Sequence, residues 1–428
     1  MNRRLTAVCV AGTLLVSTHV AAAAVDWNNP PSVVAAAIEV SPLIREIKAR
    51  GAAARERLKL AGALPNPTLS GGVENQPIDL SLDRSFTIYT VGASQLFIRG
   101  EKRKSLREAA ESDLRRIEAE EETLRAEIRL DVVVAYDEAA GAQSQINASE
   151  EIAKLSAMIT SAARIRYETG SGTQLDVIRA RLEENNVQLF VLDERGQRDG
   201  ALARLRALLN LPGNEVIPPF THSRVHRRQP VVTADFTTRA TFILDAELAR
   251  ADAELQLAKL QRKPDPQLEI RYGYRRWQKD FFSVMGRVEL PIRRSTIVEP
   301  RIQEEIARRD AAAARVEILR QELRAELGAA IAEQNAAGQQ MRLHAEVLVP
   351  EAKLAFESAL SLYQNGKAGL DAVLSSLRTY RQLNVDYYGL LLRQYLAEDQ
   401  IEGLIYGARR SKTANASGAI AAGSMGVK

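Results

Sequence analysis

Residues 264–275 read Pro264-Asp265-Pro266-Gln267-Leu268-Glu269-Ile270-Arg271-Tyr272-Gly273-Tyr274-Arg275. Their alternation decides how the chain folds. Leu268, Ile270, Tyr272 and Tyr274 face one way, and Gln267, Glu269, Arg271 and Arg275 face the other. Successive side chains of a strand point to opposite faces, so the stretch predicts a strand with one apolar and one polar face. Segment 281–290 repeats the pattern, setting Phe282, Val284, Val288 and Leu290 against Ser283, Arg287 and Glu289. Strands of about 9–11 residues with that alternation suit a lipid-facing barrel with a wet interior. Tyr272, Tyr274, Trp277, Phe281 and Phe282 cluster around one turn, and interfacial aromatics of this kind form membrane girdles. A half-buried soluble sheet would carry the same charged inner face.

The same stretch belongs to an internal repeat. At an offset of roughly 195 to 199 residues, motifs recur in one order. Leu58-x-Leu60-Ala61 returns as Leu255-x-Leu257-Ala258, and Pro65-Asn66-Pro67-Thr68-Leu69 as Pro264-Asp265-Pro266-Gln267-Leu268. Gly92–Ile98 corresponds to Gly286–Ile292. Tyr167-x-x-Gly170 returns as Tyr363-x-x-Gly366, followed by Leu175-Asp176 and Leu370-Asp371. Each copy reads as helix, strand hairpin, very long helix, tight turn and returning helix. The first hairpin, about 67–76 and 85–97, alternates less cleanly, with Phe86, Ile88, Tyr89 and Val91 supporting a strand. The predicted organisation is a segment 1–24, a first repeat 25–211, a linker 212–234 marked by Pro212-Gly213 and Pro218-Pro219, a second repeat 235–407 and a small, polar tail 408–428. Four strands per chain cannot close a barrel, and an open edge is untenable in lipid. Three chains would supply twelve, within the range of such barrels.

From about Glu101 to Glu168 there is no Pro and little Gly, and Leu114, Ile117, Leu124, Ile128, Val132, Ala135, Ala139, Ala142 and Ile146 form one helical stripe. At 1.5 Å per residue such a helix spans on the order of 100 Å, more than an ordinary globular domain houses. The returning segment carries a heptad-like seam of Leu175, Ile178, Leu182, Leu189 and Leu192. The second copy repeats the design from about Ile302 to Leu362 and from Leu370 to Leu404, with Pro350 expected to bend it or mark a joint. Gly170-Ser171-Gly172 and Gly366-Lys367-Ala368-Gly369 read as hairpin tips, where Gly supplies the backbone freedom of a reversal.

At the N-terminus, Arg3 and Arg4, an apolar core from Leu5 to Val16 and small residues up to Ala24 read as a secretory signal peptide. The one cysteine, Cys9, lies inside it and is not preceded by a lipoprotein-like box, so no disulfide is expected. Beyond it no apolar run reaches the length of a spanning helix. The 428 residues are 46% hydrophobic, 26% charged and 5% aromatic with a net charge of +4. Both signs are interspersed along helical stretches, which describes solvated faces and gives no footprint for nucleic acid. His222 and His226 sit four apart in a Pro- and Arg-rich stretch without a third ligand, and His344 lies alone on a long helix. No phosphate loop, nucleophile elbow or metalloprotease helix occurs, so neither an enzyme nor a cofactor is expected.

Signal peptide, duplicated strand hairpin, long helical hairpins and the Tyr-x-x-Gly…Leu-Asp tips together resemble the TolC-like outer-membrane efflux proteins over nearly the whole of 32–407. Leu64-Pro65-Asn66-Pro67 and the stretch Gln95–Arg103 look most like the branch serving cobalt–zinc–cadmium-type cation pumps, although Gly100-Glu101 stands where that branch carries two adjacent glycines. The resemblance implies a mainly α fold with a small β part. It implies a homotrimer whose strands form a twelve-stranded barrel in outer-membrane lipid and whose helices form a periplasmic α-barrel. It also implies a periplasmic adaptor and an inner-membrane pump of the resistance-nodulation-division type as partners. Docking would fall on the tips, at Tyr167, Gly170, Gly172, Tyr363, Gly366 and Gly369. Asp371 would either ring the periplasmic entrance with carboxylates or serve as a helix cap. Asp176 reads as a cap or a surface charge. A periplasmic adaptor would show one hairpin rather than two, and a structural coiled-coil protein of an export complex would not need aromatic strands.

Overall fold

Each sequence period yields the element it predicts. The computed structural model describes residues 25–75, 87–220, 239–276 and 278–408. The segment 1–24 with Cys9, the stretch around Phe86, the linker beyond Phe220 with His222 and His226, Trp277 and the tail from 409 lie outside the described residues. Helices α1 (Pro30–Val40) and α2 (Pro42–Leu60) lead into strands β1 (Thr68–Glu74) and β2 (Ile88–Leu96), then α3 (Gly100–Glu168) and α4 (Gln174–Leu208). The second copy repeats the order with α5 (Arg239–Leu260), β3 (Pro266–Arg275), β4 (Phe281–Val288), α6 (Glu299–Leu343), α7 (Val349–Gln364) and α8 (Leu370–Ile405). The expected fold, mainly helical with a small sheet, is the observed one.

The second copy's long helix is jointed where the first copy's is not. A π-helical turn, His344–Leu348, separates α6 from α7, and another, Arg294–Val298, precedes α6. Each is followed by one residue and then a proline, Val349-Pro350 and Glu299-Pro300. Proline has no N–H to give the carbonyl four residues back, so the ladder must be rerouted there. The residue before each proline closes the wider ring: Val349 N–H donates to the His344 carbonyl and Glu299 N–H to the Arg294 carbonyl. The joint predicted at Pro350 is thus a π turn. α3 contains no proline and runs unbroken through 69 residues. His344 is half-buried, its Nδ1 2.9 Å from the Gln340 carbonyl.

The chain divides into two compact units. One comprises Leu43–Glu127, Val231–Ala329 and Ile401–Lys428. It holds one antiparallel sheet in the order β1-β2-β3-β4, in which β2 of the first copy pairs with β3 of the second. Tyr89 stands opposite Tyr274, Val91 opposite Tyr272, and Tyr272 in turn opposite Phe282. α2 packs on the start of α3 through Ile47, Ala54 and Ile117, and α5 on the start of α6 through Leu255, Ala258 and Ile302. Asp265, just before β3, accepts from Arg99 N–H at 3.0 Å and from Lys102 Nζ at 2.7 Å. These bonds tie the end of the first hairpin to the start of the second.

The other unit comprises Met1–Pro42, Ile128–Pro230 and Ala330–Gln400. Four of its helices bury small, aliphatic and aromatic residues between them: Ile159 and Ala163 of α3, Ala180 and Val187 of α4, Phe356 and Tyr363 of α7, and Val373 and Leu377 of α8. Tyr136 of α3 is fully buried under Phe220, ring centroids 4.4 Å apart, and its hydroxyl donates to the Trp27 carbonyl at 2.8 Å. Among the described residues no helix is long and apolar enough to cross a membrane. Phe356 is the largest apolar side chain of the four-helix core and stacks 6.5 Å from Tyr380. Phe356→Ala is expected to cost about 3–5 kcal/mol, read as a lower midpoint for loss of the helical circular-dichroism signal in denaturant. An unchanged midpoint would mean that this core does not hold the helices together.

Candidate functional sites at the sheet and the hairpin tips

The sheet is inside out by the standards of a water-soluble protein. Leu268, Ile270, Tyr272 and Tyr274 are 41–48% exposed, and Phe282, Val284 and Val288 on β4 are 49–66% exposed. The opposite face holds Glu269, buried at 8%, Thr90 and Gly92. Register puts Val91, Tyr272 and Phe282 in one row and Ala93, Ile270 and Val284 in the next, so the apolar face is continuous across three strands. The polar face carries a charge network: Arg271 donates to Glu74 and Glu269, each at 2.8 Å, and Arg287 lies 3.6 Å from Glu269. Of the aromatics predicted as a girdle, Tyr272, Tyr274 and Phe282 share the apolar face. Phe281 pairs with Gly273 and lies on the polar face, because neighbours in a strand point opposite ways.

The two tips are built alike. In the first, Gly170 at φ +75° lets its N–H reach the Tyr167 carbonyl (3.0 Å) and the Ser171 N–H reach the Arg166 carbonyl (2.8 Å). In the second, Gly366 at φ +74° does the same, with Gly366 N–H to Tyr363 (3.0 Å) and Lys367 N–H to Leu362 (2.8 Å). This paired termination needs a left-handed residue one step past the helix end, which favours glycine. It explains the fixed spacing of Tyr-x-x-Gly in both copies.

Beyond the turns the two copies diverge. Thr173 and Asp176 form a capping box at the start of α4, Asp176 N–H donating to Thr173 Oγ1 at 3.2 Å and Thr173 N–H to Asp176 Oδ2 at 3.1 Å. Gly172 sits so close to Arg166 that a Cβ would lie 3.0 Å from its side chain, whereas Gly369 faces open space. Asp371, 82% exposed in the first turn of α8, accepts from Arg179 Nη1 at 3.1 and 3.3 Å. Tyr363 is buried beneath the Arg166 guanidinium, 4.7 Å from its ring centre, and Arg166 also donates to the Tyr363 carbonyl. Tyr167 is exposed and lines a groove with Arg164, Val177, Ile178, Arg181 and Leu182. Sequence reasoning does not single out Arg166, Arg179 or Glu183. Glu183 of α4 is buried and accepts from Arg378 Nε at 2.6 Å and Arg381 Nη1 at 3.1 Å on α8. Farther along α4, Glu194 accepts from Gln145 Nε2 at 2.9 Å. Burial, with the charge of Asp193 adding, pushes its carboxyl up to about 7. Among the described residues no group of three or more His, Cys, Asp or Glu side chains is placed to hold a metal ion.

Burial separates the two acidic residues of the tip helices in energy. Glu183→Gln loses charge-assisted bonds that are shielded from water and is expected to cost about 1.5–3 kcal/mol. Asp371→Asn, at an exposed pair, is expected to cost about 0–1 kcal/mol. Equal thermal shifts for the two variants would contradict the difference in burial. For Glu194, the folded state holds a proton that the unfolded chain, with a carboxyl near its ordinary value of 4.5, has released between that pH and about 7. Its contribution is therefore fully present below the lower value and lost as pH rises through the upper one. Glu194→Gln is expected to melt higher than wild type at pH 8 and level with it at pH 4. A gain of the same size at both pH values would show that Glu194 does not titrate in this window.

Residues 33–211 match the family described as outer membrane efflux protein. No curated protein matches the chain by sequence. Among solved structures, the outer-membrane channel OprN is similar with a TM-score of 0.76 at 17% identity, covering 89% of this chain and 91% of that one. The outer membrane protein VceC of Vibrio cholerae gives 0.74 at 18% identity over 89% and 96%. The open state of the MtrE outer membrane channel of Neisseria gonorrhoeae gives 0.71 at 16% identity over 96% and 98%. The chain has the fold of these TolC-like outer-membrane channels, and its first repeat carries the outer membrane efflux protein family match.

Proposed function

We propose that the chain is one subunit of a homotrimeric outer-membrane efflux channel, a passive duct with a long periplasmic portion. The supporting observation is the four-stranded sheet whose apolar face is exposed and whose outer strands, β1 and β4, each have, among the described residues, a partner on one side only. Hydrocarbon is the solvent that suits such a face, and further copies of the same sheet are the simplest way to satisfy both edges. Three copies make a twelve-stranded barrel with Arg271, Glu269 and Ser283 on its wet side. The tips receive a periplasmic adaptor, the exposed groove at Tyr167 being the surface best suited to an amphipathic helix. An inner-membrane pump of the resistance-nodulation-division type supplies the driving force. Heavy-metal cations are the cargo that the stretches around Pro65 and Gly100 favour. Asp371, exposed and in ion-pair contact with Arg179, supplies a carboxylate to the entrance of each subunit. A periplasmic adaptor or an export-complex coiled coil would have no use for the outward aromatic strands.

The test is conductance in a planar bilayer, beside electrophoresis in mild detergent without boiling. A heat-labile trimer and discrete conductance steps are expected, and Asp371→Ala is expected to weaken cation preference. Steps indifferent to that substitution would leave the duct and remove Asp371 from the entrance. A monomer that neither partitions into outer membranes nor conducts would end the reading.

A further inference from the structure

Among the described residues, the polar face of the sheet carries a cation, Arg275, that its neighbours do not neutralise. Arg271 and Arg287 lie against Glu74 and Glu269. Arg275, at the loop end of β3, has no carboxylate within ion-pair distance of its guanidinium among the described residues. Its Nη1 donates to the Gln278 amide oxygen at 2.8 Å, and the guanidinium carbon lies 4.5 Å above the Phe281 ring. The Phe281 ring lies over Gly273, where a Cβ would meet it at 2.2 Å, so the missing side chain is what lets the ring lie flat on the strand. The turn is fixed from the other side by Asp280, which accepts from Arg275 N–H at 3.3 Å and from the Tyr272 hydroxyl. A bare strand position, an aromatic ring seated on it and a guanidinium stacked on the ring hold the charge against the wall rather than leaving it to wander in water.

We infer that Arg275 is a specificity-determining residue: in a trimeric barrel, three Arg275 side chains, each seated on a Phe281, form a cationic collar near the loop end of the lumen that favours anions and hinders bare cations. This rests on the channel reading above. A ring of like charges on a narrow aqueous passage raises the local concentration of the opposite ion and repels its own sign, within a screening length of about 10 Å at 0.1 M salt. The collar acts at the loop end only, so a cation admitted past the Asp371 entrance would leave most readily within an anionic complex.

The experiment uses the full chain in outer membranes of intact cells, in a Cys9→Ser background so that an introduced thiol is unique. Ser283 lies on the polar face and Val284 on the apolar one. Ser283→Cys and Val284→Cys are treated from outside with a negatively charged methanethiosulfonate sulfonate and with a positively charged trimethylammonium analogue. Reaction at position 283 and none at 284 is expected. At 283 the ratio of anionic to cationic reaction rates should fall about threefold or more when Arg275→Gln is added. Arg275→Lys should restore part of it, and the effect should vanish at about 1 M salt, where the screening length is about 3 Å. Phe281→Leu, which keeps Gly273 covered but removes the aromatic seat, should lower the ratio less. A ratio that ignores Arg275→Gln and Phe281→Leu at low salt overturns the collar and leaves the channel standing. Equal reaction at 283 and 284, or none at either, overturns the channel reading and the collar with it.

Discussion

Backbone N–H and C=O groups along the free sides of β1 and β4 constrain everything else in this chain. Two paired inner strands satisfy each other, but among the described residues each outer strand leaves a row of donors and acceptors on one side. In water such an edge is an aggregation hazard, and in hydrocarbon each unmet group costs several kcal/mol. The side chains rule out the usual remedy of a polar exposed surface, because the face they present is Leu268, Ile270, Tyr272, Val284 and Phe282. A sheet that is apolar on one face, charged on the other and, among the described residues, open at both edges is one that the proposed trimeric barrel would close. The exposed aliphatic seam of α4 at Leu182, Leu189 and Leu192 has the same character.

The same order of elements occurs twice along the chain, and the two occurrences differ in their properties. Both tips end in the same left-handed glycine turn, yet Tyr363 is locked under Arg166 while Tyr167 stands in solvent. Asp176 is consumed by a capping box, whereas the corresponding Asp371 is left to pair with Arg179. α3 is one unbroken rod, and its counterpart is divided by a π turn in front of Pro350. A helix that has already given up regular hydrogen bonds at one point bends there more easily than elsewhere. The second hairpin thus carries a break in its helical ladder that the first lacks.

Local chemistry is legible in the sequence, and long-range chemistry is not. The alternation of β3 and β4 and the Tyr-x-x-Gly turns depend on neighbours within a few residues, so the residues alone place them. β1 is blurred because Gly71 and Gly72 remove two side chains from the pattern. Composition groups Phe281 with the girdle, but its position beside Phe282 gives it the opposite face, where it covers Gly273. Glu183 looks like any other carboxylate on a solvated helix. Only the approach of α8, bringing Arg378 and Arg381, makes it a buried clamp. Arg179 and Asp371 lie far apart in the chain and meet only in the folded hairpins.

The pairing of β2 with β3 orders events in time. Leu96 meets Gln267 only after the whole of α3, α4 and α5 has been synthesised. Closing so long a loop delays the contact, while a helical hairpin assembles from neighbours. The two hairpins should therefore condense first and act as a preformed clip that brings the strand pairs side by side. The sheet becomes a late product, and in the trimer proposed above its greasy face would meet water only briefly before copies find one another. In that assembly the monomer would be, between those two steps, a species to be shielded, and its rate of finding partners would rise with its own concentration.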